Sequence, residues 1–254
     1  MTTSQESLDP RLFADGPARD DRFDVRERWQ EMANFPDGSP EYKREFIHRQ
    51  LNEELNVLEC AAQSLVDFPT AEWHLRMSLA RQCADEARHA LLYKRLAERR
   101  GIALGQYPIM NFQYRILRKI DTLIGRLAVE NRTFEADGLD AVSTGVHQER
   151  SRGDHELADL FETQQADEIL HVGFANAYIK SELRRDPALV MIVGRTLAVA
   201  GRALEEVGKG GAMDVRKYGV AEQERVEAGF AQEEVRIAAE LSRQRRGLVE
   251  PRTS

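Results

Sequence analysis

Two stretches of the chain carry the same short pattern, Ala84-Asp85-Glu86-Ala87-Arg88-His89 and Ala166-Asp167-Glu168-Ile169-Leu170-His171. Their glutamates are 82 positions apart, and in each stretch the His follows the Glu by three positions. On a helix, residues three apart leave the same face. A carboxylate and an imidazole on one face can bind the same metal ion and leave positions for a bridging carboxylate and water. The repeat therefore predicts two helices that each contribute ligands to a metal site.

The first pattern has a glutamate partner on the helix that precedes it. Phe68-Pro69 ends that helix, so the two helices are predicted to form an antiparallel hairpin. Counting back from the turn places Glu54 level with Glu86, 32 residues earlier in the chain. Glu54 also lies among apolar residues at helical spacing, where an unpaired carboxylate would be costly to bury. Metal coordination would offset that cost, so we expect Glu54 to be a ligand.

The second pattern is preceded by two glutamates that could play the same part. A turn at Arg152-Gly153 would place Glu135 level with Glu168, which follows it by 33 residues. Glu130 lies among more strongly apolar neighbours, as a buried ligand should. The separations of 32 and 33 residues match between the hairpins, so Glu135 is preferred and Glu130 remains the alternative.

Apolar residues at helical spacing predict an all-α fold. Expected helices run from Pro40 to Phe68-Pro69, from a Thr70 cap to Gly101, from about Tyr114 to Arg150 with a distortion at Gly138, from an Asp154 cap onwards, and over roughly 187–208 and 219–245. Two hairpins joined by a crossover would form a four-helix bundle. The predicted domains are an extended arm (1–38), the bundle (39–182), additional C-terminal helices packed on it (183–246) and a tail (247–254).

Composition excludes several classes of protein. The net charge of −7 argues against a protein that works mainly by binding nucleic-acid phosphates. Cys60 and Cys83 form no Cys-x-x-Cys pair, which excludes a zinc ribbon or a rubredoxin-type iron site and fits a reducing cytoplasm. The polar, acidic residues 1–21 do not resemble a secretory signal. The longest apolar stretch, 189–204, contains two arginines, so no membrane partner is expected.

Over about residues 45–180 the sequence resembles the ferritin-like di-iron carboxylate superfamily, whose Asp-Glu-x-Arg-His form is matched by Asp85 to His89. The second copy departs from that form only where Leu170 replaces the arginine. Within the superfamily, the stretches Glu54-Leu-Asn-Val-Leu-Glu59, Asp85 to His89 and Phe134-Glu-Ala-Asp-Gly-Leu-Asp140 look most like a bacterial ferritin-like branch of largely unassigned function.

The resemblance implies a ferritin-like four-helix bundle in which six residues bind the metals and carry the catalysis: Glu54, Glu86, His89, Glu135, Glu168 and His171. It also implies that Glu86 and Glu168 bridge two ions, and that Asp85 and Asp167 hold the histidine of the opposite motif. Tyr93 and Cys83, each one turn from the first motif, are interpreted as packed core residues. His48 has no partner at ligand spacing and is assigned no role.

Four carboxylates and two imidazoles suit two iron ions, with an iron–manganese pair as an option. The expected function is a cytoplasmic O2-dependent non-haem di-iron oxidoreductase, an oxidase or oxygenase that hydroxylates, N-oxygenates or desaturates a small organic substrate. It would need an external electron donor, and a homodimer is left open. The alternatives are a ferroxidase, peroxide-detoxifying or iron-handling ferritin-like protein and, less favoured by the acidic charge, a tRNA-modifying hydroxylase.

Overall fold

A computed structural model describes residues 7–36, 38–209 and 218–249 of the chain. Four parts of the chain lie outside the described residues. They are residues 1–6 of the predicted arm, residue 37, residues 210–217 in the predicted turn region after Gly208, and residues 250–254 of the predicted tail. The described chain is predominantly helical, which confirms the all-α prediction. Its helices are α1 (Pro40–Asp67), α2 (Trp73–Arg99), α3 (Phe112–Leu117), α4 (Leu123–Val129), α5 (Ala136–Ser151), α6 (His155–Arg185), α7 (Leu189–Gly208), α8 (Glu222–Glu227) and α9 (Gln232–Val249).

The described residues fall into two compact units. The first comprises residues 7–126 and 194–209, and the second comprises 127–193 and 218–249. The predicted ranges for arm, bundle and additional helices remain predictions.

A helical hairpin of α1 and α2 is the main feature of the first unit. Ser39 caps α1 by accepting a hydrogen bond from the Tyr42 amide, and Pro40 occupies the first turn, where its missing N–H costs nothing. Gly101 follows the end of α2 with φ +63°, as a C-terminal glycine should. The ends of this hairpin are therefore fixed by the residues that the sequence suggests at three of its four termini.

The N-terminal arm is held against this hairpin by polar contacts. Arg19 donates hydrogen bonds to Asn52 and to both carboxylate oxygens of Glu59 on α1. A two-residue parallel ladder joins β1 (Val25–Arg26) to β2 (Ile109–Met110). The described residues before α1 therefore have specific partners along α1 and at β2.

The second unit is built on a hairpin of α5 and α6. Asp154 caps α6 by accepting a hydrogen bond from the Leu157 amide, as predicted. A π-helix, Glu130–Glu135, lies between α4 and α5, and we call it the π segment. The short helix α8 packs against both α5 and α6, and α9 packs on α8.

Several predicted helix details are wrong. Thr70 does not cap α2, because the Ala71 amide bonds to the Phe68 carbonyl and Thr70 lies within that turn, so that Glu72 is the N-cap. The distortion predicted at Gly138 lies instead in the π segment. The expected helix 219–245 is divided at Gly229, whose φ of +85° ends α8.

The expected third helix is also divided, since α3 ends at Leu117 and α4 begins at Leu123. Arg126 of α4 donates one hydrogen bond from Nε to the carbonyl of Ile120, in the connection, and another to Asp67 at the end of α1, and these bonds hold the non-helical connection in place. No helix among the residues that the structure describes is both long enough and apolar enough to span a bilayer.

Candidate metal centre

Glu54, Glu86 and His89 come together in the first unit, and we call them the first triad. Each offers a ligand atom, and these atoms all lie within 4.8 Å of one another. The Nδ1 atom of His89 lies 3.0 Å from Glu86 Oε2 and 3.3 Å from Glu54 Oε2. Glu54 reaches the histidine from α1, and the other two residues share one face of α2. The hairpin thus brings together three residues that the sequence predicted to be ligands.

These distances suit a shared cation. Metal ions hold nitrogen and oxygen ligands at about 2.0–2.2 Å, so neighbouring ligand atoms lie about 3 Å apart. All three side chains are buried, with exposed fractions of 6%, 1% and 0% for Glu54, Glu86 and His89. Two buried carboxylates would carry a large desolvation cost unless a cation offsets it. The geometry and the donor set of the first triad therefore fit a metal ion.

The pKa values of this triad show how strongly its groups are coupled. Burial, with the nearby charge of Glu86, raises the pKa of Glu54 to about 7. Burial alone would lower the pKa of His89, but its hydrogen bonds to Glu54 and Glu86 outweigh that effect and raise the pKa to about 12. The two carboxylates therefore favour the protonated form of His89 in the absence of a metal ion.

Glu135, Glu168 and His171 form a second triad, which lies entirely in the second unit. Their ligand atoms also lie within 4.8 Å of one another, and all three residues are buried. The Nδ1 atom of His171 lies 3.5 Å from Glu168 Oε2. Here the histidine and one carboxylate share a face of α6, and Glu135 comes from the end of the π segment. Like the first triad, the second takes a Glu and a His from one helix and another Glu from an earlier segment of the chain.

The structure also bears on the choice between Glu130 and Glu135. Both are buried, at the two ends of the π segment. In an α-helix, residues five apart point about 140° away from each other, whereas a helix with i to i+5 hydrogen bonds brings them close to one face. Among the described residues, Glu135 joins a group of possible metal ligands and Glu130 does not. This favours Glu135, and the π segment explains why both glutamates are buried.

Other residues near the motifs have partners of their own. Asp85 forms ion pairs with Arg81 and Arg88 on α2, at 3.3 and 3.6 Å, so part of its charge is balanced within the helix. Tyr93 is fully buried, as expected of a packed core residue. Burial raises the pKa of the Cys83 thiol to about 11, which does not suit a reactive thiolate. The predicted roles of Asp85 and Asp167 toward the opposite histidine remain predictions.

The sequence reading overlooked one part of the internal repeat. Gln82 precedes Glu86 by four residues, and Gln164 precedes Glu168 by four residues, so the 82-residue offset extends one turn further. Both glutamines are buried, with exposed fractions of 1% and 3%. Two buried amides at equivalent positions, each one helical turn before a glutamate, could have been found by extending the comparison of the two motifs.

Together these features define a class: a predominantly helical protein whose two buried carboxylate–imidazole triads could each bind a metal ion. The sequence model of one family, described as "Protein of unknown function (DUF455)", matches residues 2–236. The chain therefore belongs to this family. No curated protein and no solved structure matches the chain significantly.

Proposed function

We propose that the two triads together bind two iron ions in a ferritin-like four-helix bundle, and that the protein is an oxidase or oxygenase acting on a small organic substrate. The observation that carries this proposal is the double occurrence of one buried Glu–Glu–His triad, built each time from a helical hairpin. Surface charge clusters are common without a metal. A buried set of four carboxylates and two imidazoles, however, balances the charge of two divalent ions and suits iron or manganese.

The protein residues would hold the ions and control their surroundings. His89 and His171 would each offer a ring nitrogen, and Glu54, Glu86, Glu135 and Glu168 would offer carboxylate oxygens, so that these six side chains would hold the ions. Bound iron would supply electrons for the reduction of dioxygen. An oxygenation requires four electrons for each O2, of which the substrate gives two and an external donor gives two. The buried side chains would keep bulk water from the ions.

Iron stoichiometry tests the metal part of this proposal. Anaerobic reconstitution with Fe(II), followed by elemental analysis, is expected to give about two iron ions per chain. The variants His89→Ala and His171→Ala should each retain fewer ions while circular dichroism shows the helices intact. A wild-type value near zero, with the helices intact, would remove the basis of the proposal.

Exposure to air then separates the oxygenase from iron storage. An oxidase or oxygenase should take up dioxygen, keep a saturating content near two irons per chain and need an added reductant for a second round. A ferroxidase of the storage type should continue to oxidise excess Fe(II) without a reductant. Accumulation of iron far beyond two per chain, in large particles, would favour storage and contradict the oxygenase.

A further inference from the structure

The π segment is a rare type of helix whose form needs an explanation. A π-helix is rare and costs stability relative to an α-helix, so its surroundings must favour it. Arg132, in the middle of the segment, donates a hydrogen bond to the side-chain oxygen of Asn176 on α6. It donates another, at 2.5 Å, to Glu234 on α9. A single side chain of the π segment is therefore fixed by both α6 and the C-terminal helix.

Asn176 connects the segment to the end of α8 as well. Its side-chain amide donates a hydrogen bond of 2.7 Å to the Ala228 carbonyl, while its oxygen accepts from Arg132. Asn176 is almost fully buried, and its bond to Ala228 is formed in a protected environment, whereas its bond to Arg132 is partly buried. Lys180, one turn further along α6, donates to the Gly229 carbonyl. The turn between α8 and α9 is thus bound to α6 just beyond His171.

Phe230, in the same turn, lies against two guanidinium groups. Arg132 is 4.4 Å from the centre of its ring and Arg225 is 5.2 Å from it. Arg225 in turn forms two hydrogen bonds, of 2.8 and 2.7 Å, with the fully buried carboxylate of Asp140 on α5. This ion pair anchors α8 to the helix that follows the π segment.

The apolar contacts of this turn reach the immediate neighbours of every member of the second triad. Ala228 and Phe230 pack in one cluster with Ala136, Val172 and Ile169. These three residues directly follow Glu135, His171 and Glu168 in the chain. A displacement of the turn would therefore be transmitted to all three ligands through the backbone.

We propose that the turn between α8 and α9, with Asn176, fixes the π segment and so sets the position of Glu135 toward Glu168 and His171. Asn176 is a positioning residue for the metal ion that the second triad binds, a role that rests on the proposed function. The C-terminal helices are then part of the metal site's support. The same contacts would keep the π segment ordered in the absence of metal.

The chain offers a closely matched pair of variants for the test. Glu233 and Glu234 are neighbours in the first turn of α9, but Glu233 pairs with Arg236 on its own helix, whereas Glu234 pairs with Arg132. Glu233→Gln and Glu234→Gln remove the same charge from the same helix turn, and only the second weakens the contact with the π segment. Asn176→Leu, of similar size, removes the hydrogen bonds of Asn176 with Arg132 and with the Ala228 carbonyl.

The first measurement is an anaerobic Fe(II) titration in which the binding step abolished by His171→Ala is assigned to the second triad. Asn176→Leu should weaken that step about tenfold, and Glu234→Gln about threefold. Glu233→Gln should leave it unchanged, and the step abolished by His89→Ala should be unchanged in all three variants. The proposal would be overturned if Asn176→Leu and Glu234→Gln leave the affinity of the second triad unchanged. It would also be overturned if these variants lower Tm and weaken the binding steps of both triads equally.

Hydrogen exchange in the metal-free protein provides the second measurement. Amides 130–135 should exchange faster in Glu234→Gln than in Glu233→Gln, whereas amides of α1 should be the same in both. This comparison can be made even if Asn176→Leu fails to fold. The Glu234 side chain is 42% exposed, so Glu234→Gln should have only a small effect on stability. If the wild-type protein binds no iron, the proposed function fails, yet the exchange of the π segment still decides whether the C-terminal turn fixes it. Equal exchange in the two variants would contradict that role.

Discussion

Asn131 of the π segment donates a hydrogen bond from its side-chain amide to the main-chain carbonyl oxygen of His171, at 3.3 Å. In an α-helix that carbonyl bonds mainly to an amide four residues later, so the asparagine adds a second contact at the level of the candidate ligand. Asn131 is buried, and the bond links the π segment to α6, the helix that carries Glu168 and His171. The position of Glu135 relative to its partners therefore depends on contacts of the residues before it.

Asn131→Ala should lower both stability and metal affinity. We expect the free energy of unfolding to fall by about 1–2 kcal/mol, because a buried hydrogen bond is lost. Fe(II) binding at the second triad should weaken about tenfold. Thr133→Val is the control, since its hydroxyl bonds to the Ala128 carbonyl within the same stretch and does not reach α6. Urea unfolding and anaerobic titration would measure both effects; equal losses of affinity in the two variants would contradict the role of Asn131.

Glu54→Ala should remove iron from the first triad, whereas Glu59→Ala should not. Only Glu54 belongs to the group of buried ligand atoms. Glu59 instead binds Arg19 through both oxygens, so its loss should release the arm and leave the iron content near two per chain. Elemental analysis and limited proteolysis of residues 7–36 would separate the two effects. Full iron content in Glu54→Ala would refute the assignment.

Glu135→Ala should empty the second triad, and Glu130→Ala should change iron content less. The reason is that Glu135, unlike Glu130, lies within ligand distance of both Glu168 and His171. Glu135→Gln and Glu130→Gln are the matched controls for packing, because each keeps the size of the side chain. If Glu130→Ala loses the metal and Glu135→Ala keeps it, the alternative glutamate is the ligand.

Metal affinity should rise with pH. The pKa of His89 is raised to about 12 and that of Glu54 to about 7, so at neutral pH the metal-free site holds protons that a metal ion must displace. Fe(II) binding at the first triad should therefore release protons and strengthen between pH 6 and 8. Anaerobic calorimetry in buffers of different ionisation enthalpy would measure the proton release, and an affinity independent of pH would contradict this coupling.

The free energy of unfolding of the first unit should vary with pH because of His48. This histidine accepts a hydrogen bond at Nε2 from the Gly105 amide. Burial lowers the pKa of His48 from 6.5 to about 4. Between pH 4 and pH 6.5 the unfolded chain binds a proton at His48 that the folded chain excludes. The stabilisation that neutral His48 contributes is therefore complete above pH 6.5 and is lost as the pH drops toward 4. His48→Gln, which keeps an acceptor, should flatten the dependence. The free energy of unfolding would be measured with urea across pH 4–6.5. If it varies with pH in His48→Gln as much as in the wild type, the contribution of His48 is refuted.

The sequence predicted best those features that depend on local spacing. The ends of α1, the capping of α6 by Asp154 and the convergence of Glu54 with Glu86 and His89 follow from helical periodicity, a capping side chain and a short turn. The π segment could not be predicted in this way, because its wide turn depends on distant partners such as Asn176 and Glu234. Gly138 is a local candidate for the distortion, yet α5 runs through it, because a single glycine costs a helix only about 0.5–1 kcal/mol.

The arm was the other feature that local reasoning could not resolve. Residues 7–36 lack lasting periodicity, and their partners lie far along the chain. Arg19, for example, meets Asn52 and Glu59 through a buried guanidinium that no helical pattern would reveal. His48 was likewise assigned no role, because its partner is a backbone amide in a loop 57 residues away.

The contacts of the arm also bear on the order in which the first unit folds. The α1–α2 hairpin closes a short turn, whereas the bond from the Ala14 amide to the Arg115 carbonyl spans 101 residues and the ladder of β1 with β2 spans 84. Closing a long loop costs more chain entropy than closing a short one, so long-range contacts form slowly. The hairpin can assemble its triad before the arm docks. In unfolding, the arm should detach first, and a native state that has lost only the arm would still hold Glu54, Glu86 and His89 together.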